Sequence, residues 1–131
     1  MKISGPVVGT DDVATLASFY AQLLGWEVVE SEGPRRGHPP GAGWALLRPA
    51  DMSTKLEIQF EQHHVRPVWP PEPGAQGMQL HLDIWVEDLA RGVLWAIECG
   101  ATEAIPQPAD RDQSALRIML DPAGHPFCFF S

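Results

Sequence analysis

The sequence predicts an α+β fold made of two tandem βαβββ modules, each with one helix and four strands. Two segments, 10–25 and 87–100, carry apolar residues at helical spacing, and each ends in a glycine. Most other segments alternate apolar and polar residues over short runs, as strands do. The order strand, helix, strand, strand, strand then occurs twice, which indicates a duplicated module.

The helix of the first module has the clearest pattern. Its apolar residues recur at the spacing of one helix face: Val13, Leu16, Phe19, Tyr20, Leu23 and Leu24. Asp11 or Asp12 is expected to cap its N-terminus, and Gly25 can adopt the left-handed conformation after its last turn. A short β-like run at 2–9 precedes this helix.

Three strands are expected after the first helix, at 26–31, 43–49 and 55–61. A loop rich in Gly and Pro separates the first two of them, at 32–43. The third strand alternates Leu56 and Ile58 with Glu57 and Gln59, so the two polar residues are expected to face away from the helix.

The second module repeats this order. It has a strand at 78–86, and then a helix that begins at Asp88 and ends at Gly100. One side of that helix carries Leu89, Val93, Ala96 and Ile97. Three further strands are expected at 101–106, 115–121 and 125–131.

The two modules are expected to form a single domain over 1–131. Module one covers about 1–62 and module two about 78–131. The bridge at 63–77 contains four prolines, and proline has no backbone N–H to donate, so the bridge is predicted to be extended. Each half has only one helix, which is too little to cover both faces of its own sheet, so the halves are not expected to be independent domains.

Composition excludes several classes of function. The formal charge is −8, with 17 acidic against 9 basic residues, which argues against binding to nucleic acid. No apolar run approaches the roughly 20 residues of a membrane span, and the N-terminus lacks the apolar region of a signal peptide. Two cysteines, Cys99 and Cys128, are expected to be reduced thiols in a cytoplasmic protein.

The segment 81–89 has an unusual strand face. Its polar or aromatic residues, His81, Asp83 and Trp85, alternate with Leu82, Ile84 and Val86. The first set must either contact solvent or line a pocket.

Three stretches resemble the vicinal oxygen chelate superfamily, which includes glyoxalase I, bleomycin-resistance proteins and extradiol dioxygenases. They are "DDVATLASFYAQLLGWEV", "HLDIWVEDL" and "DPAGHPFCFF". "RPVWPPEP" followed by "LHLD" is similar to a glyoxalase-like subgroup whose members largely lack an assigned reaction. The resemblance implies that the two modules form a cup-shaped mixed sheet around a ligand cavity, with the helices outside, and a homodimer.

The resemblance also implies a metal site, which this sequence fills only in part. His81 falls where the family has its metal ligand in the second module. Gly5 occupies the equivalent place in the first module, and Cys128 replaces the glutamate of the terminal strand. If a divalent metal binds, the best candidate ligands are therefore His81, Glu57 and Cys128, but no tightly bound metal or other cofactor is expected.

The candidate ligand-binding residues are His81, Asp83, Trp85, Trp44, Gln59 and Cys128. Asp83 and Glu57 are the candidate catalytic acids, although Asp83 could instead orient His81. Glu57 and Gln59 either line the cup or lie on its exposed rim. Cys128, between two phenylalanines, could simply pack as a small apolar residue.

Two functions of different class are compatible with these residues. The first is binding of a small, partly apolar organic molecule, as a sequestering or resistance-type protein. The second is catalysis, by a lyase or isomerase of a small carbonyl or oxygenated compound or by a relative of the dioxygenases. It would be metal-assisted or would depend on acid/base groups. The incomplete ligand set favours the first.

Overall fold

The computed structural model describes residues 1 and 3–131, which form two compact units, Met1–His64 and Val65–Ser131. The first unit contains β1 (Val7–Thr10), α1 (Val13–Leu24), β2 (Glu27–Glu32), β3 (Trp44–Arg48) and β4 (Leu56–Phe60). The second contains β5 (Asp83–Trp85), α2 (Leu89–Cys99), β6 (Thr102–Glu103), β7 (Leu116–Leu120) and β8 (Pro126–Phe130). The predicted α+β class and the repeated βαβββ order are both confirmed.

Each unit has one four-stranded mixed sheet, and the two sheets have the same topology. The strand orders are β1-β4-β3-β2 and β5-β8-β7-β6. The first strand of each unit pairs in parallel with the last, and the other pairings are antiparallel. The duplication inferred from the order of elements is therefore also a duplication of strand pairing.

The core of the first unit lies between α1 and one face of its sheet. Four of the six apolar helix positions are buried, Val13, Leu16, Phe19 and Tyr20. They face the strand residues that alternate inward, Ala45, Leu47, Leu56 and Ile58, which are also buried. Because these inward residues take one face of the sheet, the alternating polar residues must take the other.

The caps predicted for the helices are confirmed. Asp12, not Asp11, is the N-cap of α1, and its Oδ1 accepts from the Thr15 N–H at 3.1 Å. Asp88 caps α2 in the same way. Gly25 and Gly100 both adopt positive φ at the C-caps.

Replacing Asp12 with alanine should lower the free energy of unfolding by about 1 kcal/mol, the usual contribution of an N-cap. Hydrogen bonds from Thr15 lower the pKa of Asp12, so this contribution is complete above the unfolded-state pKa of about 4 and disappears as pH falls through the folded-state pKa. Urea denaturation at pH 7 and pH 3 measures both effects. Asp11→Ala is the matched control and should change stability by less than about 0.5 kcal/mol.

Several elements differ from the sequence expectation. The strand predicted at 2–9 is observed only from Val7, and Lys2 lies outside the described residues. The strand predicted at 78–86 is only Asp83–Trp85, which pairs with Cys128–Phe130 of β8. On α2, Ile97 is 46% exposed, although its spacing placed it with the buried Leu89 and Ala96.

Strand β6 is shorter than predicted because, beyond Glu103, a side chain makes part of the hydrogen bonding that backbone groups make in a regular strand pair. Pro106 has no N–H to donate. The Gln107 amide instead accepts from the Ile118 N–H at 2.9 Å and donates to the carbonyls of Ile118 and Ala104, both at 2.8 Å. The predicted run at 101–106 therefore pairs as a regular strand only at Thr102–Glu103.

The bridge has neither helix nor strand, as its prolines predict. Its first two residues, His63 and His64, donate backbone N–H groups to Glu61 of the first unit, whereas Arg66 and Trp69 contact the second unit. The Trp69 indole N–H donates to the Pro106 carbonyl at 2.9 Å, and the Arg66 guanidinium donates to the Pro122 carbonyl. Among the described residues, no helix has the length and apolar character needed to cross a membrane.

Candidate functional site

The face of the first sheet opposite α1 carries two rows of side chains, each with one residue from β2, β3 and β4. The pairing register places Glu32, Trp44 and Gln59 in one row. Glu30, Leu46 and Glu57 form the second row. Directly opposed residues in a sheet have Cβ atoms about 5 Å apart, so each central apolar side chain is flanked by polar ones.

This face is the floor of a cavity of about 580 Å³ within the first unit. Phe60 and the loop between β2 and β3 contribute to its lining, and the loop brings Arg35 and His38 to it. The volume falls within the range of small-molecule sites, roughly 300–1,000 Å³. An indole and a leucine side chain among carboxylates and an amide suit an organic molecule with an apolar part and a polar group.

Two of the three carboxylates at the cavity are already paired. Glu32 accepts from Arg35 at 2.6 and 3.1 Å, and from the Trp44 indole N–H at 3.3 Å. The Arg35 and Trp44 hydrogen bonds lower the pKa of Glu32. Glu57 accepts from the Lys55 ammonium at 2.8 Å.

The sequence placed three of its candidates on this face: Trp44, Glu57 and Gln59. Both Glu57 and Gln59 border the cavity, where Glu57 is half-buried and Gln59 is exposed. Sequence reasoning gave no role to Glu30, Arg35 or His38. Arg35 and His38 could have been proposed from their position in a Gly- and Pro-rich loop that also carries polar residues, because such loops frequently border binding sites.

In the second unit, the alternation predicted for the segment around β5 is confirmed. His81, Asp83 and Trp85 are exposed, whereas Leu82, Ile84 and Val86 are half-buried. Trp85 is 60% exposed.

His81, Asp83 and Cys128 form a cluster on this sheet. Asp83 pairs with Cys128 in the parallel β5–β8 ladder, and the His81 Nε2 lies 3.1 Å from the Asp83 Oδ1. One donor atom from each of the three lies within 4.8 Å of the other two. Of the predicted metal ligands, His81 and Cys128 therefore come together, while Glu57 belongs to the first unit; Asp83 is the ligand that the sequence reasoning did not consider.

The donor set of this cluster fits zinc. An imidazole nitrogen, a carboxylate oxygen and a thiolate sulfur are all zinc ligands, and three of them leave a fourth position open. Donors on a tetrahedral zinc ion lie about 3.3–3.8 Å apart, so small side-chain rotations would suffice. The thiol opposes metal binding, because burial and then the Asp83 charge raise the pKa of Cys128.

The position equivalent to His81 in the first module contributes no ligand. Gly5 has φ of 150°, and a Cβ built on it would contact the Lys55 carbonyl oxygen. A larger side chain there would require the backbone to move. The sequence predicted that this position provides no metal ligand. The structure adds that the first unit has no room there for a side chain.

The duplicated βαβββ module places this protein in the vicinal oxygen chelate superfamily. A family model described as a glyoxalase-like domain matches residues 6–130, and the chain belongs to this family. The comparison with curated proteins gave no match.

Solved structures with the same fold include proteins of more than one function. A glyoxalase family protein from Enterococcus faecalis is 22% identical over 99% of this chain and 97% of its own, with a TM-score of 0.68. TnmS3, an antibiotic binding protein from Streptomyces sp. CB03234, is 16% identical over 99% and 94%, with a TM-score of 0.60.

A third similar structure is a mutant of FosX, a fosfomycin resistance protein from Listeria monocytogenes, in complex with Mn(II) and 1S,2S-dihydroxypropylphosphonic acid. It is 11% identical over 98% of this chain and 90% of its own, with a TM-score of 0.70. At these identities the similarity establishes the fold alone.

Proposed function

We propose that this protein binds a small, partly apolar organic molecule in the cavity of the first unit and acts as a sequestering or resistance-type binder. The observation that carries the proposal is the 580 Å³ cavity over the row Glu32, Trp44 and Gln59. The Trp44 indole can exclude water from a ligand, which contributes roughly 25 cal/mol per Å² of apolar area. The antibiotic-binding and fosfomycin-resistance proteins of the same fold add support.

Trp44 is the residue expected to contribute most to binding. Its indole N–H donates to Glu32, so the ring is anchored at one edge while it lines the cavity. Gln59 and Glu57 are proposed as its polar neighbours in ligand binding.

Trp44→Ala should weaken binding at least tenfold, which corresponds to about 1.4 kcal/mol. Binding can be followed by nuclear magnetic resonance on the five tryptophan indole N–H signals, with a panel of soluble phenyl and indole compounds as probes. The Trp44 signal should shift most. Trp26→Ala is the control, because Trp26 belongs to the same unit but does not line the cavity. Unchanged affinity in Trp44→Ala, with loss in Trp85→Ala, would instead locate the site on the second sheet.

A second candidate function, catalysis, is supported by the cluster His81, Asp83 and Cys128. We propose it as a lyase or isomerase, or a dioxygenase relative, acting on a small carbonyl or oxygenated compound. A bound zinc ion would polarise an oxygen of the substrate. In its absence Asp83, 63% exposed and beside His81, is the candidate general base. Glu57 is the less favoured catalytic acid, because Lys55 already engages its carboxylate.

A homodimer and a cytoplasmic location stay predictions. The exposed apolar residues of α2, Leu94, Trp95 and Ile97, support association, since interfaces are enriched in aromatic residues. The two free cysteines support a reducing compartment.

A further inference from the structure

We infer that the cavity of the first unit selects an organic cation, an ammonium-type group attached to an aromatic or alkyl part, and that Glu30 is the residue that selects it. This inference rests on the binding function proposed above. It names the class of ligand, which neither the fold nor the family defines.

The charges at the cavity are the first step. Its lining contains three carboxylates, Glu30, Glu32 and Glu57, against one permanent cation, Arg35. The Arg35 guanidinium is occupied by both carboxylate oxygens of Glu32. Glu32 therefore offsets the Arg35 charge, and an anionic ligand would meet a lining with more carboxylates than cations.

The unpaired carboxylate is the second step. Glu57 has its own partner, Lys55, at 2.8 Å. Among the residues that the structure describes, Glu30 has neither an ion pair nor a side-chain hydrogen bond. It lines the cavity directly beside Leu46 in its row, so its charge lies at the edge of an apolar surface.

The arrangement of polar and apolar groups is the third step. The row with Trp44 borders the row with Glu30 on the same sheet face, two residues along the strands. A molecule lying across both rows would place its ring on Trp44 and its charged end beside Glu30. A cation also interacts favourably with the face of an indole within about 6 Å, whereas an anion does not.

Three probes of similar size test the ligand class: 2-phenylethylammonium, 2-phenylethanol and 3-phenylpropanoate. Affinities are measured at pH 7 from shifts of the Trp44 indole signal. The cation is expected to bind at least fivefold more tightly than the alcohol, and the carboxylate more weakly than either. Raising the salt concentration from about 20 to about 500 mM, from weak to strong screening, should bring the affinities of the cation and of the carboxylate closer to that of the alcohol and leave the alcohol unchanged.

Variants identify the residue responsible. Glu30→Gln keeps the shape of the side chain and should reduce the preference for the cation to less than twofold, with binding of the alcohol unchanged. Glu27→Gln is the matched control, because it removes the same charge from the same strand but outside the cavity lining. It should preserve the preference.

The outcomes separate this inference from the proposed function. Equal binding of all three probes, dependent on Trp44, would overturn the cation preference while leaving the cavity as the binding site. Loss of the preference in Glu27→Gln as much as in Glu30→Gln would show that net charge, not Glu30, is responsible. Failure of every probe to perturb the Trp44 signal would overturn both proposals.

Discussion

Gly43→Ala is expected to lower the free energy of unfolding by at least about 3 kcal/mol, the largest change in stability that we predict for a single methyl group in this protein. Gly43 has φ of 129°, a conformation that residues with a side chain rarely adopt. A Cβ built on it would overlap the carbonyl oxygen of Glu32. Because that neighbour is backbone, no change of rotamer relieves the overlap.

The position of Gly43 connects this stability to the cavity. Gly43 lines the cavity and directly precedes Trp44, the first residue of β3. Its carbonyl accepts a hydrogen bond from the Phe60 N–H at 3.0 Å. A backbone shift there would move the wall residues on either side. We therefore expect Gly43→Ala to weaken ligand binding even under conditions in which the variant is still folded.

Gly33→Ala is the matched control from the same loop. A Cβ on Gly33 has no heavy atom within 4 Å, and Gly33 does not have positive φ. Its substitution should leave stability unchanged or raise it by up to about 1 kcal/mol, by restricting the unfolded chain. Urea denaturation of the two variants measures the difference. Equal stability would mean that Gly43 is not in the tight backbone contact described above.

Helix ends were predictable from the sequence because their signals are local. Asp12 and Asp88 each lie three residues before the N–H that they accept from, and Gly25 and Gly100 each follow the last turn. No information from elsewhere in the chain is needed to place these caps. The length of β5, in contrast, depends on its pairing with β8, and sequence periodicity does not contain that information.

At the two candidate sites too, the local features were predictable from the sequence and the features set by strand register were not. Alternation along β4 was enough to place Glu57 and Gln59 on the face away from α1. The row that joins Glu57 to Leu46 and Glu30 depends on strand register, and register shifts at an irregularity between Val28 and Glu30. That shift is a tertiary feature, so Glu30 could not be assigned in advance.

The cluster of His81, Asp83 and Cys128 required both kinds of information. His81 and Asp83 are two residues apart, so a strand necessarily presents them on one face. Cys128 joins them through the parallel pairing of β5 with β8. The family resemblance implied a ligand position for Cys128, but periodicity alone did not place it beside Asp83. The sequence prediction named His81, Glu57 and Cys128 as candidate ligands and did not count Asp83 among them.

At low free metal, the purified protein is expected to contain well below one metal ion per chain. The reason is the Cys128 thiol, whose pKa is raised by burial and by the Asp83 charge. A metal must displace the thiol proton, so at pH 7 the apparent affinity lies below that of the deprotonated site. Elemental analysis after exhaustive dialysis measures the metal content directly. Near-stoichiometric zinc, nickel or manganese that is lost in His81→Ala would contradict this expectation and favour the catalytic function.

The same cluster should bind added Co²⁺ in a strongly pH-dependent way. Below the raised pKa of Cys128 the thiol is protonated, and each unit of pH increase makes proton displacement about tenfold easier. The apparent affinity for Co²⁺ should therefore rise about tenfold per pH unit from pH 7 toward the thiol pKa. Thiolate-to-cobalt charge-transfer absorption reports the coordination of sulfur, and a titration at each pH gives the affinity.

Two serine substitutions make this result specific to the cluster. Cys128→Ser should abolish the charge-transfer band and weaken Co²⁺ binding at least 100-fold at pH 9, because the hydroxyl is a far poorer ligand than a thiolate. Cys99→Ser is the matched control: burial also raises the pKa of Cys99, but that thiol lies at the end of α2, outside the cluster. It should leave the band unchanged. A band that survives in Cys128→Ser, or that never forms at pH 9, would mean that the three donors do not converge on one metal ion.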